Sequence, residues 1–380
     1  MSRVGVYIGC QIWKAVRPMR GFPATAFLVL VPFIIQAVEI PAPAVAGEGA
    51  LLSSELIYPL DDRPTPQCHA STIEETGSGL VAAWFGGKHE KNTDVGIWVS
   101  RNGGKGWEKP VKVASGAEGE DREYPCWNPV LFKVRGGKGG KAGPLLLFYK
   151  VGPSPSRWWG VMMSSYDGGR TWKDRRKLGR NPKVGHLLGP VKNKPIQLED
   201  GSILCGSSSE HDGWRVHFER TSDLGRTWEV IGPINDGRDF GAIQPSILTY
   251  GDGSMQILCR SRQGVVTQSR SRDDGKTWGP MTATVLPNPN AGTDAVTLGD
   301  GRQLLVYNHT TRRSQPGGRE MLNVAVSKDG MKWDVVLTLE SKKGEHSYPA
   351  VIESRDGKVH ITYTYLRRSV KHVILDPARL

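Results

Sequence analysis

The stretch Ser271-Arg272-Asp273-Asp274-Gly275-Lys276-Thr277-Trp278 decides how this chain of 380 residues is read. Ser165 to Trp172 follows the same pattern, Ser/Thr-x-Asp-x-Gly-x-Thr-Trp, and Thr221 to Trp228 repeats it with Thr in first place. Two degraded copies complete the set. Ser100 to Trp107 has Asn102 for the Asp and Gly106 for the Thr, and Ser327 to Trp333 is one residue short. The closing tryptophans 107, 172, 228, 278 and 333 lie 65, 56, 50 and 55 residues apart. A period of that size points to a radially repeated all-β architecture, not to a single sandwich or barrel.

One repeat can be divided into strands. Ala242 to Tyr250 is rich in β-formers, and Gly251-Asp252-Gly253 reads as a hairpin turn. Ser254 to Ser261 reads as a second strand, Gln263-Gly264 as a second turn and Val265 to Ser271 as a third strand. The box then turns the chain into a fourth short strand, expected from Thr277. The opening hairpin recurs at positions 70, 129, 195, 245, 295 and 349, which counts six units. The predicted fold is therefore all-β: a six-bladed β-propeller of four-stranded antiparallel blades. The last unit has no box after Val370 to Leu375, so the run Leu52 to Leu60 is expected to supply its outer strand and close the ring. Within each box the Asp can accept N–H bonds across the turn, the Gly can take positive φ, and the Trp can pack between sheets. The repeated Asp residues are read as structural, not as a catalytic or calcium array.

Residues 1 to 46 read as an export signal. Arg17 and Arg20 precede an apolar run from Phe22 to Ile35, and Ala44-Val45-Ala46 offers a small-x-small cleavage site. The run is short and broken by Pro23 and Pro32, so no stable membrane span is expected in the mature chain, residues 47 to 380. That chain is read as a periplasmic or secreted monomer. Cys68, Cys126, Cys205 and Cys259 sit in apolar strand contexts and are expected as buried free thiols. No Cys or His spacing resembles a zinc site, and neither a metal nor a cofactor is expected. The formal net charge of +12 suits an anionic polysaccharide or surface, and export argues against nucleic acid as the partner.

In a propeller the innermost strands start at one face around the axis. Residues just before the six openings therefore converge there, among them His69, Asn128, Lys194, Gln244, Asp294 and Tyr348. Such a polar set suits a ligand site, and it also suits a water-filled hub.

The boxes, the six units, and the segment Gln244-Pro245-Ser246 followed by Asp252-Gly253 and Arg260-Ser261 resemble the sialidase (neuraminidase) superfamily. The branch resembled is that of bacterial exo-α-sialidases with BNR (Asp-box) repeats. The resemblance implies an exported exo-glycosidase that releases a terminal, sialic-acid-like sugar from acidic glycans. Sialidases hold the sugar carboxylate with three arginines, because a guanidinium fork pairs with a planar anion at two points. It implies Arg260 as the second arginine and Arg319 as the third, with Arg312 and Arg313 as neighbouring competitors. It implies Tyr348 as nucleophile, a recognised departure from the two-carboxylate scheme of glycosidases. Asp94 then fills the acid/base place, with Glu90 as runner-up.

Two positions depart from the family pattern. His69 stands where the first arginine belongs, with Arg63 only a displaced substitute, and Gln244 stands where a glutamate would take the tyrosine proton. A tyrosine, with its pKa of about 10, needs a base or a strong positive field to attack at neutral pH. Glu345, three residues before Tyr348, can serve instead of Gln244, as can Glu210, His69, His309 or His346.

Two further features remain open. Trp158-Trp159 can stack on a sugar ring or pack within the blade. Glu210-His211-Asp212-Gly213-Trp214-Arg215 gathers a carboxylate, a guanidinium and an aromatic ring, and Glu210 is counted with the substrate-binding set. Two other functions fit the departures. In a uronate polysaccharide lyase, a Tyr or His removes the proton beside a neutralised carboxylate and no glutamate partner is needed. In a non-catalytic acidic-glycan-binding propeller, the chemistry has been lost.

Overall fold

The computed structural model describes residues 39–136, 143–311 and 318–380. Four antiparallel strands make each of six blades. Blade one comprises Gln67–Thr76, Gly79–Gly87, Gly96–Asn102 and Val111–Ala114. Blade two comprises Cys126–Lys133, Leu145–Val151, Trp159–Ser165 and Lys173–Lys177. Blade three comprises Ile196–Gln197, Ile203–Ser209, Arg215–Thr221 and Glu229–Ile231, and blade four Ala242–Thr249, Met255–Ser261, Val265–Ser271 and Thr282–Pro287. Blade five comprises Asp294–Thr297, Gln303–Tyr307, Leu322–Ser327 and Asp334–Glu340. Blade six is His346–Glu353, Val359–Tyr365 and Ser369–Leu375, completed by Leu51–Leu56 from the other end of the chain. That last pairing runs from Leu51 opposite Leu375 to Leu56 opposite Lys371, and it closes the ring as the sequence predicts. The six-bladed all-β propeller is thus the observed fold.

Pro41–Leu380 is one compact unit, and Met1–Ile40 is a second, of which only Glu39 and Ile40 are described. The export signal read over 1 to 46 therefore lies outside the described residues as far as residue 38. Its end runs against blade five: Ala44 N donates to Thr338 O at 2.9 Å, and Thr338 Oγ1 to Pro41 O at 2.7 Å. Among the described residues, no helix is long and apolar enough to cross a membrane. The four cysteines Cys68, Cys126, Cys205 and Cys259 are buried and free.

The boxes act as structural turns. In blade four, Asp273 accepts from Thr277 N at 2.9 Å, Thr277 Oγ1 at 2.6 Å and Ser271 Oγ at 2.8 Å. These bonds hold its carboxyl down to about 2, led by those from Thr277. Gly275 sits at φ +75°, and a Cβ there would come within 2.6 Å of Leu204 in blade three, so only glycine fits. Trp278 Nε1 bonds Gly275 O at 3.0 Å, and its ring stacks on Phe218 of blade three with centroids 4.3 Å apart and planes 8° apart. A stacked aromatic pair adds about 0.5–1.5 kcal/mol beyond its buried area. This docking also delays the fourth strand, which starts at Thr282 and not at Thr277, because Trp278 faces the neighbouring blade instead of joining the ladder. All these turns follow third strands and so lie at the face opposite the one where the innermost strands begin.

At that beginning, blades one, two, four and six share a defect that aims side chains at the axis. The register of the innermost strand slips between His69 and Thr72, Trp127 and Val130, Ile243 and Ser246, and Ser347 and Ala350. Each slip is a β-bulge holding a non-glycine residue at positive φ: Ala70 at 53°, Asn128 at 35°, Gln244 at 60° and Tyr348 at 54°. Such a conformation costs about 1–3 kcal/mol and persists only where surroundings fix it. Here neighbouring blades take up the backbone groups freed by the bulges. Thr364 Oγ1 accepts from Ala70 N at 3.1 Å, Ser208 Oγ from Gln244 N at 3.1 Å, and Asn193 Nδ2 donates to Gln244 O at 2.8 Å. Lys192 Nζ reaches Thr293 O at 2.7 Å and also bonds Pro349 O, next to Tyr348.

Candidate active site

Tyr348 is the centre of the site. Its phenol oxygen accepts from Arg260 Nη1 at 2.5 Å, a bond between blade six and the end of the second strand of blade four. Arg260 is 7% exposed, and its fork is fixed by Asn290, whose Oδ1 accepts from Nε at 2.9 Å and whose backbone O accepts from Nη2 at 2.6 Å. Gln244 Oε1 is a weak third acceptor, 3.4 Å from Nη1. Gln244 therefore faces the guanidinium. A carboxylate there would pair with the same arginine, and the amide keeps the bond without the charge.

Arg319 also meets the tyrosine, its guanidinium carbon 5.5 Å from the ring centroid and that of Arg260 at 5.6 Å, and its Nη2 donates at 3.4 Å to the same Asn290 O that Arg260 bonds. Two guanidiniums close to one phenol offer donors and positive charge to an anion, although Arg319 is itself paired with Glu345. Arg312 and Arg313, the competitors of Arg319, lie outside the described residues.

Glu345 ties the cations together. Its Oε1 accepts from Arg319 Nη1 at 2.7 Å and Ser347 Oγ at 2.8 Å, and its Oε2 from Arg367 Nε at 2.7 Å. Burial would raise this carboxyl, but the Arg319 and Arg367 guanidiniums outweigh it and hold the group well below the usual carboxylate range. Glu345 thus orients arginines and is a poor proton acceptor. It does not bond the Tyr348 oxygen.

Arg367 is a residue of this cluster that the sequence reading missed. It sits in the hairpin after Val359–Tyr365, where Leu366 and Arg367 both have positive φ, and its backbone O accepts from Cys68 N at 2.9 Å. Its Nη1 bonds Glu90 at 2.6 Å and its Nη2 lies 3.5 Å from His69 Nε2. Blade six thereby places a guanidinium beside His69, the position where the sequence resemblance leads one to expect an arginine. The usable signal was topological: a hairpin joining second and third strands opens on the same face as the start of an innermost strand.

His69 packs on Tyr348 with ring centroids 4.1 Å apart and planes at 49°. Burial first, and then the charge of Arg367, hold its imidazole well below the ordinary histidine value, so it is neutral. In the neutral ring Nδ1–H donates to Thr364 Oγ1 at 2.9 Å, leaving Nε2 as an acceptor toward Arg367. The other candidate bases have different partners. His309 bonds the Tyr307 hydroxyl, and burial lowers it to about 4; His346 is buried against Tyr365 at 5.1 Å.

Three carboxyl candidates are separated by their surroundings. Asp94 accepts from Lys88 N at 3.0 and 3.2 Å while its own N bonds Asn92 Oδ1, which makes it the staple of loop 88–94. Glu90, on that loop, is ion-paired to Arg367. Glu210 is raised above the ordinary carboxyl value, first by burial, against the opposing pull of Arg260 and Arg262 and a hydrogen bond from Trp214. Trp158 is 4% exposed and meets Trp127 edge-on at 6.0 Å, which is the packing alternative, whereas Trp159 stays partly exposed. Lys194 and Asp294 pair at 3.0 Å, and Asp294 also accepts from Ser246 Oγ and Val351 N, so these two hold blades three to six together.

Residues 78–361 match the family of BNR repeat-like domains. No curated protein sequence matches the chain. Among solved structures, a Hadza microbial sialidase superposes with a TM-score of 0.69 at 19% identity, covering 86% of this chain and 69% of that one. The NanB sialidase of Streptococcus pneumoniae gives 0.66 at 13% identity, with 86% and 71% covered. A protein of unknown function from Dyadobacter fermentans gives 0.68 at 15% identity, with 86% and 98% covered. At such identities the likeness is one of fold. The chain belongs to the family of BNR repeat-like domains, built on the propeller that sialidases share.

Proposed function

We propose that this chain is an exported exo-glycosidase of the sialidase type, which releases a terminal carboxylate-bearing sugar from a glycan. The observation that carries the reading is the Tyr348–Arg260 bond, with Arg319 also within 5.5 Å of the ring. Arg260 and Arg319 take the sugar carboxylate, and Arg367 with Glu345 keeps Arg319 in place. Tyr348 gives up its phenol proton to solvent water and forms a bond from its oxygen to the anomeric carbon as the glycosidic C–O bond breaks; water, giving a proton to the carboxylate that served as the acid, later displaces it. Arg260 neutralises the charge that a phenolate nucleophile carries. In this reading Glu210, whose carboxyl burial raises against the pull of Arg260 and Arg262, gives its proton to the leaving oxygen, with Asp94, which here accepts from Lys88 N, and Glu90, paired to Arg367, as the other candidates.

One observation favours a second reading. Among the described residues, Arg260 bonds the Tyr348 oxygen and no carboxylate does. A uronate lyase needs no separate acceptor: Tyr348, as a phenolate beside Arg260, removes the proton next to a carboxylate that Arg260 and Arg319 neutralise and returns it to the leaving oxygen, which departs as the double bond forms. Incubating the purified chain with acidic oligosaccharides and weighing the products separates the two. Hydrolysis adds the mass of water, whereas elimination adds none and creates an ultraviolet-absorbing product. Loss of turnover in Tyr348→Phe is expected in either case, and turnover that survives this change removes Tyr348 from the chemistry.

A further inference from the structure

Two aromatic residues lie on the same face as Tyr348, over blades two to four, and the cleavage chemistry uses neither. Trp159 opens the third strand of blade two and is partly exposed. Lys177 Nζ stands 5.0 Å over its ring, Tyr124 meets it edge-on at 5.3 Å, and His186 lies 6.1 Å away. Trp214 precedes the third strand of blade three and is also partly exposed. Exposed Arg262 covers its ring at 4.3 Å, and Arg260, the partner of Tyr348, lies 5.3 Å from the same ring. Between the two rings, Gly185 and His186, which follow blade two, approach His211 of the Trp214 loop, whose Cε1 lies 3.9 Å from where a Cβ on Gly185 would stand.

The strip carries both signs: Glu123, next to Tyr124, and Asp236 and Asp239, by the Trp214 loop, are exposed, while two other acids are paired. Glu118 is neutralised by Arg175 and Lys177, and Asp212 by Arg215 with a bond from Ser209. Arg180 and Arg262 remain exposed. Burial lowers His186, and the charges of Arg180, Lys177 and His211 lower it further, which reports the positive field around it. Apolar planes beside cations suit a chain of carboxylated sugar rings, in which each unit offers a C–H face and an anion.

We propose that the strip from Trp214 to Trp159 binds the leaving portion of the substrate, and that this portion is itself a polyanionic, carboxylated oligosaccharide and not a neutral glycan capped by one acidic sugar. The inference rests on the reading of Tyr348 as the cleavage site, because Arg260 joins the two.

The test measures binding and needs no turnover. Full-length Tyr348→Phe protein is titrated with carboxylated oligosaccharides of two, four and six sugars, one series of sialic acid and one of galacturonic acid, beside neutral chains of equal length. Affinity in one acidic series is expected to rise about tenfold or more from two to six sugars and to weaken with salt. In Trp159→Ala and in Arg262→Gln that gain with length is expected to shrink to about twofold or less, with melting temperatures near that of the parent showing intact folding. Equal affinity for two and six sugars, equal affinity for neutral chains, or an unchanged gain in both variants overturns the proposal. Turnover of a short acidic reporter by the unmutated chain would still stand in that event, so failure here is distinct from failure of the cleavage reading.

Discussion

Arg260 of blade four donates to the phenol oxygen of Tyr348 of blade six at 2.5 Å, and Asn290 holds the rest of its fork from the segment leading into blade five. Position and charge are thus separable. Lysine keeps the charge but cannot reach the tyrosine and both Asn290 acceptors at once. Arg260→Lys is expected to lower kcat/KM on the cleaved substrate by ~100-fold, about 2.7 kcal/mol of transition-state stabilisation. Steady-state kinetics at matched folded fraction read this out, and a variant within about threefold of the parent would place Arg260 outside the chemistry.

Glu345 accepts from Arg319 and Arg367 at once, so Glu345→Gln leaves two cations facing each other without their shared anion. The expected outcome is a rise in KM of about tenfold, with a smaller change in kcat, as Arg319 loses its orientation. Stability carries a second signature. The carboxyl titrates lower in the folded chain than its unfolded value of about 4.3, so its contribution is present above that pH and is lost on acidification through the folded value. Thermal melts between pH 6 and pH 3 should therefore fall more steeply for the parent than for Glu345→Gln.

The scaffold was legible because its signal is repeated and local. Ser271, Asp273, Gly275 and Trp278 satisfy one another within eight residues, and the same geometry recurs at Thr221 and Ser165. Tyr348, Arg260, Arg319 and Glu345 were found as residues, and the structure gathers them. What could not be read was how they pair. Arg367 enters the site through a hairpin whose place depends on closing the ring, and the Asp94 carboxylate turns back to Lys88 N because its own loop curls around it. Trp158 and Trp159 are adjacent in sequence yet part ways at the edge of a strand, one buried against Trp127 and the other partly exposed. Local pattern gives the blades, whereas the partners within the site come from contacts between blades.

The ring closure contains a buried histidine pair that should make it acid-sensitive. His360 and His372 stack with planes at 5° and a 3.0 Å nitrogen contact, on the two strands of blade six that lead to Leu51–Leu56. Burial, then the neighbouring His360, lowers His372 to about 3, against about 6.5 when unfolded. Because the folded value is the lower one, the unfolded chain binds protons first, and stability falls as pH drops from about 6.5 toward 3. Glu55, 3.3 Å from His372, and Trp107 are the other groups facing it. His372→Gln is expected to flatten the melting-temperature profile over that window. A parent profile that is level from pH 6.5 to 4.5 would contradict this.

Lys192 offers the sharpest test of whether the Tyr348 bulge matters. It is 2% exposed, donates to Thr293 O and Pro349 O, and flanks Gly292 together with the Tyr348 ring. Met has similar length but no donor, so Lys192→Met leaves two carbonyls unpaired, at a cost of about 1–3 kcal/mol each for any that stays buried and unmatched. Freed of that bond, Tyr348 can leave φ +54°, and the expected kinetic effect is a fall in kcat of about tenfold or more with KM little changed, since Arg260 and Arg319 remain. The pH profile marks the amine itself. Burial lowers it to about 7 against about 10.4 unfolded, so over that interval the unfolded chain holds the proton, and the parent gains stability as pH rises from 7 toward 10. Lys192→Met should lack that gain. A variant that folds, loses the alkaline gain and keeps full kcat would show that the bulge holds Tyr348 without Lys192.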